Sequence, residues 1–157
     1  MTERWVGIVV SNDKVTFVDA QVPDAGIIVV QSDQSWKLQS GERGAAYAVM
    51  HGRVADYLRS NEVSKVIVKA SALSTGGTKL AHLHAAELRG VIIASASTQV
   101  QSLVVLPKAH ISRTFGDRKV DEYVADDDFW DAEVGGAQLR AGSREAAMLL
   151  LSVRKAA

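Results

Sequence analysis

The chain has 157 residues, 47% hydrophobic and 23% charged, enough apolar side chain for one packed core and against wholesale disorder. It contains no cysteine, which removes disulfides, thiolate metal sites and cysteine nucleophiles together. Its 18 basic and 18 acidic side chains cancel, so the broad basic excess of a protein that grips phosphate backbones non-specifically is missing.

The opening residues, Met1-Thr2-Glu3-Arg4-Trp5, lack the basic region and apolar stretch of a signal peptide. No apolar run reaches the roughly 18 residues that cross a bilayer. A cytoplasmic protein without a membrane partner, forming one domain over residues 1–157, is therefore expected. Trp5–Val10 is apolar and β-branched, Ser11–Lys14 is turn-like and Val15–Val18 follows, which predicts a hairpin. Gly26–Gln31 reads as a third strand, entered past Pro23.

Between Ser40 and Asn61 the period changes. Ala45, Ala48, Val49, Gly52, Ala55 and Leu58 recur three and four apart, predicting an amphipathic helix capped by Ser40 or a neighbour. Val63–Val68 ends in Val66-Ile67-Val68, a short buried strand of the kind α/β sheets contain. After the loop Ser71–Thr78 a second helix is predicted over Lys79–Ala94, with Leu80, Leu83, His84, Glu87, Leu88, Val91 and Ile92 near one stripe. Ser102–Leu106 is the fifth strand, stopped by Pro107, and a short helix is predicted over Lys108–Phe115. The last helix is predicted over Ser143–Lys155, with Ala146, Ala147, Leu150 and Val153 as its apolar side.

Charge is distributed unevenly. Residues 1–116 carry 12 basic and 9 acidic side chains, residues 117–133 carry 2 and 8, and residues 134–157 carry 4 and 1. The acidic block Asp117–Glu133, helical in part, has two readings: a solvated face, or a docking surface for a basic partner. In the second, Asp126, Asp127 and Asp128 form a charged rim around exposed Phe129 and Trp130. The partner is then another protein or a second copy, which would offer a basic face around Arg140 and Arg144.

Three strands, a helix, and then alternating strands and helices predict an antiparallel set that merges into a parallel sheet. That order describes an α/β, ribonuclease H-like fold: a mixed five-stranded sheet flanked by helices. Trp5–Val18, Lys65–Ala70 and the Gly-rich loop leading into Leu80–Gly90 resemble the matching stretches of RuvC-type Holliday-junction resolvases, nearest to a small bacterial branch. The resemblance covers nearly the whole chain and rests on hydrophobic pattern and loop glycines.

It implies a two-metal nuclease centre built from acidic side chains, because Mg²⁺ takes hard oxygen ligands. Where the first family acid stands, in the opening strand, this chain has Val9-Val10. Where the second follows the fourth strand, it has Lys69-Ala70-Ser71. Glu145, ahead of Ala146-Ala147 in the closing helix, matches the last. Two of three acids are replaced, so the resemblance implies a degenerate centre with no cofactor. Asp13 and Asp19 could in principle be substitutes. Glu87 reads as a ligand or as a helix-border ion pair with Arg89 or Lys79. His82 and His84, two apart on a helix, face different ways, and His51 and His110 lie on other segments. The loop Ser74–Lys79 does not fit the G-x-x-x-x-G-K-[ST] phosphate loop, though a glycine-rich helix entry attracts anions.

Two function classes follow. One is a non-catalytic resolvase-like domain that binds nucleic acid through Lys69, Lys79, Lys108 and Arg113, or a protein through the acidic block. The other is an active Mg²⁺-dependent nuclease with displaced ligands, Glu145 and Glu87. A nucleotide-binding α/β protein of the stress-protein kind is disfavoured by three opening strands with no helix between them.

Overall fold

The chain is described here by a computed structural model covering residues 2–73, 75–116 and 118–156. Alternation makes the opening hairpin two-sided. In β1 (Glu3–Ser11) Trp5 and Val9 pack toward one face of the sheet, and Val6, Ile8 and Val10 toward the other. Asn12 takes a φ of 50°, which suits the tight reversal into β2 (Lys14–Val22). The two strands pair antiparallel from Glu3↔Val22 to Ser11↔Lys14.

β3 (Ile28–Lys37) pairs antiparallel with β2 and runs well past the apolar stretch that predicted it. The ladder with β2, not side-chain pattern, holds the polar residues Ser32–Ser35 in strand. β4 (Lys65–Lys69) lies parallel to β1, and β5 (Ser102–Leu106) parallel to β4. A sixth strand, β6 (Val134–Gly135), joins parallel to β3 and corrects the expected count of five. Two residues are too short to leave a period in sequence. The order is β5-β4-β1-β2-β3-β6, with the antiparallel part first, as the element order predicts.

Helices cover both faces. α1 (Arg43–Ser60) and α2 (Leu80–Ser97) bury the Val6, Ile8 and Val68 side, and α6 (Ala141–Ala156) covers the Trp5 and Ile67 side. α3 (Lys108–Phe115), α4 (Val120–Val124) and α5 (Asp127–Glu133) complete that second layer. Each fully buried Leu or Ile contributes about 1.5–3 kcal/mol, so these two layers dominate stability.

The helix faces differ from those predicted. α1 is capped by Glu42, not Ser40, because both Glu42 oxygens reach amides, Gly44 at 2.8 Å and Ala45 at 2.7 Å. Its buried stripe is Ala46, Met50, Val54 and Leu58; Leu58 is as predicted, and the other three lie one position from predicted residues. In α2 burial begins at Ala85 and continues through Leu88, Ile92, Ser95 and Ala96. Leu80 and Leu83, in the turns before that contact, stay 66% and 53% exposed. α6 is buried continuously from Ala146 to Ser152, since it lies between the sheet and the α3–α4 layer. Among the described residues no helix is long and apolar enough to cross a membrane.

One buried charge sits far from the C-terminal ends of β1 and β4. Asp19 is fully buried and accepts from Arg4 at 2.8 and 2.7 Å and from the Tyr57 hydroxyl at 2.6 Å. Burial, then the bond to this carboxylate, pushes the Tyr57 phenol up to about 12. The neutral phenol is the favoured form, so its stabilisation is complete below the ordinary value of about 10 and is lost as pH rises through about 12. An ultraviolet titration should show a tyrosine step near pH 12 that Tyr57→Phe removes. A titration without that step would contradict the assignment.

Candidate functional site

Parallel pairing through Ile8↔Val68 brings the C-terminal ends of β1 and β4 side by side. Just beyond that pair stand Val9, partly buried against the α6 layer, and Lys69, the last residue of β4. Above them α6 approaches very closely. A Cβ added at Gly7 would lie 2.2 Å from the Ala146 carbonyl oxygen, so only glycine permits this contact. The close approach delivers Glu145, one residue earlier in α6, to the sheet end. There its Oε1 accepts an ion-paired hydrogen bond from Lys69 Nζ. Both side chains are mostly buried, 22% and 24% exposed.

Val9 offers no oxygen, and Glu145 is neutralised by an ammonium group where a second carboxylate would be needed. Among the described residues no group of three or more His, Asp or Glu is placed to hold a metal ion. The other acids considered are held elsewhere. Asp13 pairs with Arg43 at 3.2 Å, and Asp19 lies in the Arg4–Tyr57 network at the other end of the sheet. Glu87 is not paired with Arg89 or Lys79. It faces α1, accepting from the Tyr47 hydroxyl at 3.2 Å with Arg43 Nε 4.0 Å away. Glu87 and Glu145 therefore belong to opposite faces of the sheet.

On the α2 side of the same sheet end lies an open cleft of about 580 Å³. Its walls are the β1–β2 turn at Ser11 and Asn12, the segment after β4, and the first turns of α2 around His82. Arg89 is held at this cleft, where sequence reading made it only a partner for Glu87. Its guanidinium donates to Ser71 Oγ at 2.6 Å and to the Val10 carbonyl at 3.1 Å. The signal for it was present, since Arg89 falls four residues after Ala85 on the stripe that meets the sheet.

The predicted basic residues gather in part. Lys69 lines the cleft, Lys79 stands exposed where α2 begins, and Lys108 follows β5 at the same sheet end, paired with Asp121 at 2.9 Å. Arg113 lies further along α3, exposed and outside the cleft. The acidic block differs more. Asp117 and Ser74 lie outside the described residues. Trp130, expected to be exposed, is buried at 3%, and its indole N–H donates to the Tyr123 carbonyl at 2.9 Å. Phe129 is half-buried edge-on to it. Asp126 caps α5 at Phe129 N and pairs with Arg118, while Asp127 pairs with Arg144 of the same chain. Asp128 is exposed. Arg140 turns to Asp33 at 2.8 Å. Four of the block's eight acids, Asp121, Asp126, Asp127 and Glu133, are thus paired within the molecule, and its tryptophan serves the core.

Removing the Lys69 ammonium leaves Glu145 partly buried without its counter-charge. Lys69→Met should cost about 1–2 kcal/mol, and Lys69→Met with Glu145→Met should recover most of that, because the unpaired charge is the larger penalty. Urea denaturation of the three proteins checks it. A double variant less stable than the single by a further full increment would count against the pair.

No family model matches the sequence, and no curated protein does. Solved structures do match. Thermus thermophilus RuvC is similar with a TM-score of 0.70 at 12% identity, covering 98% of this chain and 96% of that one. RuvC from the same organism in complex with a Holliday-junction substrate gives 0.70 at 11%, over the same shares. The yeast mitochondrial Holliday-junction resolvase Ydc2 gives 0.65 at 9%, covering 98% of this chain and 78% of its own. This chain has the RuvC, ribonuclease H-like fold.

Proposed function

We propose that this chain is a resolvase-like domain that binds nucleic acid without metal-dependent cleavage. The observation that carries the reading is the Lys69–Glu145 ion pair, which stands at the sheet end where the resemblance puts acidic metal ligands. A carboxylate neutralised by its neighbour is a poor Mg²⁺ ligand, and Val9 supplies none. The nucleic-acid part is supported by the shared fold and by the Holliday junction bound in one of the similar structures. Lys69, Lys79 and Lys108 stand at the same end of the sheet, Lys69 and Lys108 paired with Glu145 and Asp121 and Lys79 exposed, where it suits a phosphate backbone. A cytoplasmic protein of a small bacterial branch is part of this reading, on the sequence resemblance alone.

The test is a cleavage assay on four-way junctions, RNA–DNA hybrids and single strands with Mg²⁺ or Mn²⁺. The strands should remain intact while the junction is retarded on a gel. Efficient scission that disappears on Glu145→Gln would overturn the reading.

A further inference from the structure

We propose that the cleft beside Arg89 is a seat for a phosphoryl oxyanion, held by side chains rather than by a metal. This deepens the reading above by naming the group that the sheet end recognises, and it rests on geometry on the α2 side of that end.

The lining of the cleft is one-sided. Among the described residues it contains His82, Arg89 and Lys69, the last paired with Glu145, and no Asp or Glu, in a chain whose acids and bases are equal in number. Arg89 is also unlike most arginines of this protein. Seven of the ten make an ion pair with a carboxylate. Arg89 makes none among the described residues; its bonds go to a hydroxyl and a carbonyl, and its Nε is buried without an acceptor. Burial alone acts on its ionisation, lowering its pKa from the ordinary arginine value. A guanidinium kept charged at the edge of the core, with neutral partners only, is stabilised by any anion that enters beside it.

The guanidinium is also preorganised. Ser71 and Val10 fix its plane, so little side-chain entropy is lost when an oxyanion docks. A cleft of about 580 Å³ exceeds what one phosphate fills and falls in the range that takes a nucleotide. Leu73, fully exposed at its rim, offers an apolar contact for an attached sugar or base. The shared chemistry is a phosphoryl group, supplied either by a phosphodiester backbone or by a monoester at a strand end or on a free nucleotide.

The experiment follows the Arg89 Nε–H resonance of the intact protein during titration with inorganic phosphate, against chloride at matched ionic strength. Phosphate should shift it saturably and chloride should not. Arg89→Met should abolish the phosphate-induced rise in melting temperature and weaken binding of a four-way junction about tenfold. If Arg89→Met does not fold, the wild-type resonance still decides. Preference for a 5′-phosphorylated strand over its unphosphorylated twin identifies the monoester, and equal binding identifies the backbone. A resonance moved by phosphate when no nucleic acid binds supports the seat and sinks the nucleic-acid reading. A resonance that neither phosphate nor oligonucleotide moves overturns the proposal.

Discussion

Gly7→Ala is expected to destabilise the protein by about 3 kcal/mol or more, the upper range for overpacking a filled interior. The added methyl would stand 2.2 Å from the Ala146 oxygen, and the obstacle is helix backbone rather than a side chain that can rotate away. α6 cannot retreat cheaply, because Ala146 to Ser152 are buried between the sheet and the outer helices. Retreat would also draw Glu145 away from Lys69. Gly52→Ala in α1 is the matched control. Nothing lies within 4 Å of its would-be Cβ, so it should gain about 0.5–1 kcal/mol from helix propensity. Urea denaturation of both variants decides. A Gly7→Ala protein with the wild-type midpoint would show that α6 does not approach β1 as described.

Trp130→Ala should cost about 3–5 kcal/mol, the usual range for truncating a fully buried large aromatic. The indole fills the layer under α4 and α5, donates to Tyr123 and meets Phe129 edge-on with ring centres 5.1 Å apart. Asp127→Asn and Asp128→Asn, by contrast, should change stability by only a few tenths of a kcal/mol, since both carboxylates face water. A docking surface predicts the reverse pattern: a stable Trp130→Ala protein that has lost a complex. Thermal denaturation and size-exclusion chromatography of the same samples separate the two.

Sequence reading located the strands and helices well because their periods are long and uninterrupted. Val66-Ile67-Val68 could only be a buried strand, and Pro107 had to end β5. It missed β6, which owes its existence to Ile28 and Val29 across the sheet. It placed Leu58, Leu88 and Ile92 inside correctly but missed Ala46 and Ala85, small residues that carry the contact and look neutral in a hydrophobic pattern. Phe129-Trp130 amid carboxylates resembled an exposed anchor. Only the tertiary fold shows that the acidic side chains point outward while the indole turns in.

The site was legible in half. Lys69 and Glu145 were each named from sequence, but their contact depends on α6 settling onto Gly7, which no local pattern announces. Arg89 was read only as a partner for Glu87, for a related reason. Its role comes from two acceptors far apart in the chain, Val10 in β1 and Ser71 in the segment after β4.

The most direct test of the central claim is the affinity for a four-way junction, measured by fluorescence anisotropy in EDTA and again in Mg²⁺. A sheet end closed by Lys69 and Glu145 needs no ion, so the account predicts the same dissociation constant in both buffers. Binding that is lost in EDTA and restored by Mg²⁺ would place a metal where this account places an ion pair, and would contradict it.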